Sequence, residues 1–218
     1  MTPQQIAGIL TSISGFVGSS PDDLAVTIAA RTRGPYGALV ATILANRCRD
    51  ETTQVVVPRL LDRASTPQEM LGFSDGEIAK IIYRSSLDRT KAVAIRKASK
   101  QIFEEHGGLV PNTLEGLLTL YGIGRKSANL ILTLGFGKPG ICVDTHVHRI
   151  SNRLGFVRTK KPEKTERALL KILPKKWWID INGVLIAFGR KHCTPTFPKC
   201  STCPIRKKCK RIGVKKSR

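Results

Sequence analysis

The amino-acid sequence predicts an all-α fold, because apolar residues recur with a helical period along nearly the whole chain. Helices are indicated by an apolar run over 36–48, by a capping box at Ser74 and Glu77, and by a run from about 89 to 106. The apolar face of that last run is formed by Ile95, Ala98 and Ile102. The one β-like run, 55–57, is three residues long and is followed by a proline, so we expect no sheet.

Size and charge narrow the class of protein. With 218 residues and 41% hydrophobic content, the chain can bury a core in one domain or in two small lobes. Lys and Arg number 37 against 16 Asp and Glu, so the net charge is +21 and predicts a polyanionic partner. The sequence has no apolar run of transmembrane length, and its first residues lack the basic start of a signal peptide. We therefore expect a soluble intracellular protein that acts on nucleic acid.

A glycine hairpin is the first candidate binding site. Gly122 and Gly124 lie between two apolar helical runs and are followed directly by Arg125 and Lys126. Glycines allow positive φ and leave backbone N–H groups bare, and a helix that starts after the turn adds its positive end, so the turn can hold a phosphate. The alternative is an ordinary helix-turn-helix corner with a solvated lysine.

A carboxylate lies eighteen positions after the lysine, beyond a glycine-rich break at 135–140. The break ends the helix between Lys126 and Asp144, so the two side chains can meet only through tertiary structure. Asp144 also suits a structural role, because Asp followed by Thr145 and a helical run is a typical N-cap. His146 and His148 follow, and without a third ligand nearby they do not predict a metal site.

Four late cysteines form the second strong pattern, C-x6-C-x2-C-x5-C, at Cys193, Cys200, Cys203 and Cys209. An intracellular chain argues against disulfides, so the spacing predicts a metal centre. Zinc and a [4Fe–4S] cluster both fit four thiolates at this spacing. Cys48 and Cys142 are remote from this group and are expected to be small buried residues.

Together, LYGIGRKSAN, VDTH, GRKHC and the cysteine quartet resemble the endonuclease III family, within the helix-hairpin-helix DNA glycosylases. The resemblance covers roughly residues 30 to 210. It implies two helical lobes, 25–134 and 1–24 plus 135–218, with a DNA cleft between them and a [4Fe–4S] cluster in the loop 193–209. It implies a monomer in the cytoplasm, associated with the nucleoid, or in the nucleus, and neither secreted nor membrane-bound.

The implied activity is excision of oxidised pyrimidines from double-stranded DNA, followed by strand cleavage at the abasic site. A damaged base must first be flipped out of the duplex. Lys126 would then attack C1′, form a Schiff base and allow β-elimination, while Asp144 stabilises the cationic sugar or assists proton transfer. Since the amine must lose a proton, we expect Lys126 to be buried near other cations, Arg125 among them. The resemblance places His146 beside the DNA, in contact with phosphate or substrate.

Several positions depart from the family pattern. Tyr121 replaces the usual proline of the hairpin, and Ser86 replaces a typical glycine. Arg47 stands where the family commonly has a glutamine that fills the gap left by the flipped base, so the preference for the opposite base is expected to differ. Leu87 is either an apolar wedge for the base stack or a core residue.

The C-terminal segment from Arg190 to Arg218 contains eleven Lys or Arg and no Asp or Glu. It is expected to anchor DNA through phosphates without reading sequence, with Lys207, Lys208 and Lys210 as contacts. A solvated tail is the alternative for the residues beyond Cys209.

Three other functions fit the sequence less well than the lyase. Mismatch uracil or thymine glycosylases of the same superfamily usually lack the catalytic lysine, so Lys126 argues against them. Adenine glycosylases carry a glutamate in the early apolar helix, where GALVATILAN has none. A non-catalytic, zinc-stapled DNA-binding module explains the charge, the hairpin and the cysteines, but it leaves Lys126 and Asp144 unexplained.

Overall fold

The computed structural model describes residues 1–18 and 25–218. In these ranges the ordered elements are helices and no strand is present, which confirms the all-α prediction. The α-helices, in chain order, are α1 (Pro3–Val17), α2 (Ala25–Ala45), α3 (Asp50–Leu61), α4 (Pro67–Leu71), α5 (Asp75–Ile81), α6 (Asp88–Glu105), α7 (Leu114–Thr119), α8 (Arg125–Leu130), α9 (Thr145–Leu154), α10 (Pro162–Ile172) and α11 (Ile181–Lys191). A π-helical turn (Ile131–Gly135) extends α8, and a 3₁₀ turn (Lys175–Trp177) precedes α11.

Two helices differ from the sequence-based expectation. The helix expected over 36–48 is α2, which starts at Ala25, is kinked at Gly34 (φ 61°, ψ −155°) and ends at Ala45. The β-like run 55–57 lies inside α3 together with its proline. Val56 and Val57 are buried beside Leu60 and Leu61 at helical spacing, so packing outweighs the β-propensity of valine.

The chain divides into two compact units, Asp23–Lys138 and a discontinuous unit formed by Met1–Asp22 and Pro139–Arg218. The first unit contains α2 to α8, with α4 and α5 packed on α6 and the π-helical turn packed on α2. Tyr36 on α2 and Ser99 on α6 form a buried hydrogen bond of 2.7 Å between their hydroxyl oxygens. The predicted capping box at Ser74 and Glu77 is present at the start of α5.

The second unit has its own core, in which α1 packs on α11 and α11 packs on α9. From α1 the core receives Ile6, Ile9, Leu10 and Ile13. Three of the late cysteines, Cys193, Cys203 and Cys209, pack against the edge of this core. The loop that carries them is therefore attached to the folded unit and does not form a free tail up to Cys209. In the part of the chain that the structure describes, no helix is long and apolar enough to cross a membrane.

Candidate active site and cysteine loop

The glycine hairpin lies between α7 and α8 and is fixed by α6. Gly122 has a φ of 78°, which only glycine adopts without strain, and a Cβ there would lie 3.2 Å from Ala94 Cβ. The backbone N–H of Tyr121 donates to Gln101 Oε1 at 2.7 Å, and Lys97 Nζ lies 4.4 Å from the centre of the Tyr121 ring. The family pattern has a proline at this position. Here the contacts with α6 fix the turn instead.

Lys126 is the second residue of α8, directly after the exposed Gly124 and the half-buried Arg125. Its side chain is exposed, so the expected burial of the amine is wrong. The Nζ atom donates to Asn46 Oδ1 at 3.4 Å, just beyond the end of α2. Sequence reasoning missed Asn46, because it lies eighty positions away and belongs to no motif. The amine is therefore accessible, and its hydrogen bond to the neutral amide oxygen of Asn46 orients it.

Two exposed turns in the same unit carry the residues expected to read DNA. Arg47 follows α2 with a φ of 53°, and Leu87 precedes α6 with a φ of 60°. The Leu87 side chain is 55% exposed, so the alternative of a core residue is wrong. The Ser86 hydroxyl donates to the Arg47 carbonyl and joins the two turns. Arg47 and Leu87 are thus brought close together, although forty positions separate them in the sequence.

Asp144 lies in the other unit and is the N-cap of α9. Its Oδ1 accepts a hydrogen bond of 2.8 Å from the backbone N–H of Val147, which confirms the capping role considered from the sequence. Because the cap occupies Oδ1, the Oδ2 atom can serve a second role. The cap also fixes the carboxylate relative to the first turn of α9.

His146, the second residue of α9, contacts Arg149. An Nη2 atom of Arg149 lies 3.2 Å from His146 Nδ1 and also donates to the carbonyls of Gly189 and Cys193 at 3.3 and 3.0 Å. Burial lowers the pKa of His146, and the cations Arg149 and Arg190 lower it further, while Asp144 opposes the shift. A Cβ on Gly189 would lie 2.3 Å from His146 Nδ1, so a glycine is required at this place.

Arg149 and Gly189 were both missed from the sequence. The signal for Arg149 was its position three residues after His146, on the same face of a helix. His148 has a structural role, because its Nδ1 lies 2.6 Å from Thr165 Oγ1, which ties α9 to α10.

The four late cysteines line one small cavity of about 20 Å³, together with Phe188 and Ile205. Burial, with a smaller contribution from the other three cysteines, raises the pKa of the Cys203 thiol to about 11. Arg153 Nη1 lies 3.5 Å from Cys193 Sγ, and the backbone N–H of Arg211 donates to Cys209 Sγ at 3.4 Å. In residues 1–18 and 25–218, no three His, Cys, Asp or Glu side chains are arranged to hold a single metal ion. Of the two remote cysteines, Cys142 is buried as expected, while Cys48 is half-exposed.

Similarity to known proteins covers most of the chain. Residues 40–175 match the HhH-GPD superfamily of base excision DNA repair proteins. Endonuclease III of Thermotoga maritima is 45% identical over 175 residues, which are 80% of this chain and 82% of that protein. A solved endonuclease III–DNA covalent intermediate, an estranged-adenine complex, is 33% identical, with a TM-score of 0.85 and 97% of each chain covered. A thermostable thymine-DNA glycosylase shares the fold, with a TM-score of 0.81 at 24% identity over 94% of this chain and 95% of that one.

The helical fold with its glycine hairpin and the sequence match together place the chain in the HhH-GPD superfamily of base excision DNA repair proteins. The identity to the Thermotoga protein then places it, within that superfamily, in the endonuclease III family. The prediction of a base excision repair DNA glycosylase and AP lyase is thereby confirmed, and neither the zinc-stapled module nor the mismatch glycosylase is favoured.

Proposed function

We propose that this protein removes oxidised pyrimidines from duplex DNA and cleaves the resulting abasic site, with Lys126 as the nucleophile. The observation that carries the proposal is the exposed amine of Lys126, which directly follows the glycine hairpin and is steered by Asn46 Oδ1. An amine that performs chemistry on a sugar must be accessible to it. The exposed backbone of Gly124 and the half-buried Arg125 suit contact with the neighbouring phosphates.

The reaction begins when the neutral amine of Lys126 attacks C1′ of the flipped nucleotide. The new C–N bond forms as the glycosidic bond breaks, and the base leaves with a proton. Opening of the sugar ring converts the adduct to a Schiff base. Loss of a proton from C2′ then expels the 3′ phosphate, which breaks the strand, and water finally releases the lysine.

Asp144 and His146 assist this sequence from the start of α9. The Asp144 carboxylate stabilises positive charge on the sugar during loss of the base. Its capping bond to Val147 supports the role, because a fixed carboxylate needs no reorganisation when the charge develops. His146 contacts a DNA phosphate as a neutral imidazole, which agrees with the direction of its pKa shift.

Arg47 and Leu87 read the DNA around the lesion. The exposed Leu87 side chain is suited to wedge between stacked bases, and the Arg47 guanidinium is suited to fill the gap and to donate to the opposite base. An arginine at this position carries donors without an acceptor. We therefore expect the rate of excision to depend on how the acceptor atoms of the opposite base are placed for the guanidinium.

We further propose that Cys193, Cys200, Cys203 and Cys209 hold a [4Fe–4S] cluster. The four thiols share one pocket with the cations Arg153, Lys199, Arg206 and Arg211, which would offset the negative charge of four thiolate ligands. The N–H groups of Arg153 and Arg211 point at sulfur atoms, as is common for thiolate ligands. When bound, the cluster would supply four Fe–S bonds that cross-link the loop 193–209.

The nucleophile is tested by trapping with borohydride, which reduces a Schiff base to a permanent protein–DNA adduct. Lys126→Ala should abolish trapping and strand cleavage on a thymine glycol duplex, while affinity for DNA stays nearly unchanged because one cation among many is lost. Asp144→Asn should keep binding but slow base release by orders of magnitude. Lys100→Ala is the matched control, since Lys100 is an exposed lysine of the same unit and should trap like the parent.

The measurement is the fraction of DNA that is covalently bound after reduction, with the released base and the cut strand quantified separately. If Lys126→Ala traps as well as the parent, another amine is the nucleophile and the proposal is wrong.

A further inference from the structure

The turns that carry Arg47 and Leu87 are joined by contacts that the proposed chemistry does not use. One is the hydrogen bond from the Ser86 hydroxyl to the Arg47 carbonyl. Another comes from Lys91 on α6, whose Nζ donates to the Leu44 carbonyl at 2.7 Å, in the last turn of α2. The end of α2 and the start of α6 are therefore held to each other at two points, one exposed and one buried.

The backbone conformations of Arg47 and Leu87 need contacts that stabilise them. Arg47 and Leu87 both have φ in the left-handed region, which costs free energy for a residue with a Cβ. A strained conformation persists where its surroundings fix it. For Leu87 the carbonyl is fixed by the backbone N–H of Lys91 at 2.9 Å, and for Arg47 it is fixed by the Ser86 hydroxyl.

The buried contact, from Lys91 to the Leu44 carbonyl, holds the end of α2 to the start of α6. Lys91 is 5% exposed, and its ammonium satisfies a carbonyl at the negative end of α2, so removing it would leave a buried acceptor unpaired. The Ser86 contact is different, because Ser86 is exposed and its loss leaves groups that water can satisfy. Replacing Ser86 should therefore leave the contact between Lys91 and Leu44 intact, and the effect of the replacement should be limited to the turns at Arg47 and Leu87.

We propose that Ser86 is a positioning residue that couples Arg47 and Leu87 into one base-reading unit. This inference rests on the proposed function of these two residues. The Ser86 hydroxyl holds the backbone of Arg47, which would face the opposite base, next to Leu87, which would enter the base stack. The glycine that is typical of the family at this position could not form this bond. We therefore expect opposite-base selectivity in this protein to depend on Ser86 as well as on Arg47.

The experiment measures excision of thymine glycol placed opposite each of the four bases, by the parent, Ser86→Ala, Arg47→Ala and the double variant. Ser86→Ala should lower the ratio between the fastest and the slowest opposite base by about threefold or more. In the Arg47→Ala background the same change should have no further effect on this ratio, because the coupled side chain is already absent. Ser86→Thr keeps the hydroxyl and should restore the ratio of the parent.

Ser12→Ala is the matched control, since the exposed Ser12 hydroxyl also donates to a backbone carbonyl, that of Gly8 at 2.9 Å. It should leave the ratio unchanged. A merely structural effect of Ser86 would slow all four duplexes equally, and that result would overturn the coupling. An independent, multiplicative effect in the double variant would overturn it too.

The two proposals fail in different ways. If the parent forms no trapped adduct on any duplex, the proposed chemistry fails and the coupling fails with it. If the parent traps normally and Ser86→Ala keeps the opposite-base profile of the parent, only the coupling is overturned.

Discussion

The contact of His146 with Arg149 fixes which ring nitrogen of the imidazole carries the proton. A guanidinium can only donate, so His146 Nδ1, at 3.2 Å from Arg149 Nη2, must accept. The proton of the neutral ring then lies on Nε2, which can donate to a phosphate oxygen. Gly189 makes this arrangement possible, because any Cβ at that place would collide with both side chains.

The lowered pKa of His146 predicts how the stability of the protein depends on pH. The fold favours the neutral imidazole, so unfolding is favoured when the ring of the unfolded chain takes up a proton. The stability that depends on this group is present above the ordinary histidine pKa of 6.5 and is lost as the pH falls below it. His146→Asn should therefore reduce the loss of unfolding free energy between about pH 7 and about pH 5. Urea unfolding at both pH values measures it, and an unchanged loss would contradict the assignment.

Residue-level prediction from the sequence was correct for the cap of α9, which follows a local pattern, and missed contacts between distant positions. The catalytic roles of Lys126 and Asp144, which also come from local patterns, stay predictions. Asn46, which contacts Lys126, and Ser86, which contacts Arg47, are single polar residues in unrelated segments. Such contacts depend on how helices pack, which a single sequence does not specify.

Arg153 on α9 contacts both ends of the cysteine loop. Arg153 Nη1 donates to the Thr194 carbonyl at 2.7 Å and Nη2 to the Pro195 carbonyl at 2.6 Å, while the carbonyl of Arg153 accepts from the backbone N–H of Ile212 at 3.1 Å. The beginning and the end of the loop are thus attached to the same residue. This attachment brings the first and the last cysteine to the same cavity.

The proposed [4Fe–4S] cluster can be tested by measuring the metal content of the purified protein. Protein purified without added metal should be yellow-brown and contain about four iron atoms per chain. Cys203→Ser should lose the iron and the visible absorption, because three ligands remain for a site that needs four. Cys48→Ser is the control, since Cys48 lies outside the loop, and should keep both. About one zinc per chain and no iron would contradict the proposal.

Helix boundaries were predicted well where caps are present in the sequence and poorly where proline occurs. The capping box at Ser74 starts α5 as expected, and α6 runs almost over the predicted range. A helix was expected from residue 36, but a helical segment also precedes Gly34-Pro35, so the pair lies at a kink inside α2. A proline allows both outcomes, and the choice depends on the packing of the preceding segment.

Charge is the property of the whole molecule that bears most directly on DNA binding. The net charge of +21 is concentrated in part in the segment from residue 190 onward, where Lys207, Lys208 and Lys210 are exposed. Cations of this kind gain affinity by releasing counterions from phosphates, and that gain does not depend on base sequence.

Replacing Lys207, Lys208 and Lys210 with alanine should weaken binding to damaged and undamaged duplexes alike. The slope of log affinity against log salt should fall by up to about 2.7, if each lysine neutralises one phosphate. A triple alanine variant at Lys160, Lys161 and Lys164 removes the same charge from another exposed segment and should change the slope less. Equal slopes for the two triple variants would show that the late lysines are not the anchor.

The discontinuous unit has a consequence for synthesis of the chain. The buried face of α1, with Ile6, Ile9, Leu10 and Ile13, packs in a core whose other members lie at 139 and beyond. At about 5 to 20 residues per second, the ribosome adds the intervening residues over roughly ten seconds. During that time the whole of the unit Asp23–Lys138 is made and can fold, while the apolar face of α1 has no partner. The order of translation therefore favours completing the unit with the hairpin and Lys126 before the unit with the cysteines, and it leaves the apolar face of α1 exposed until its partners at 139 and beyond are made.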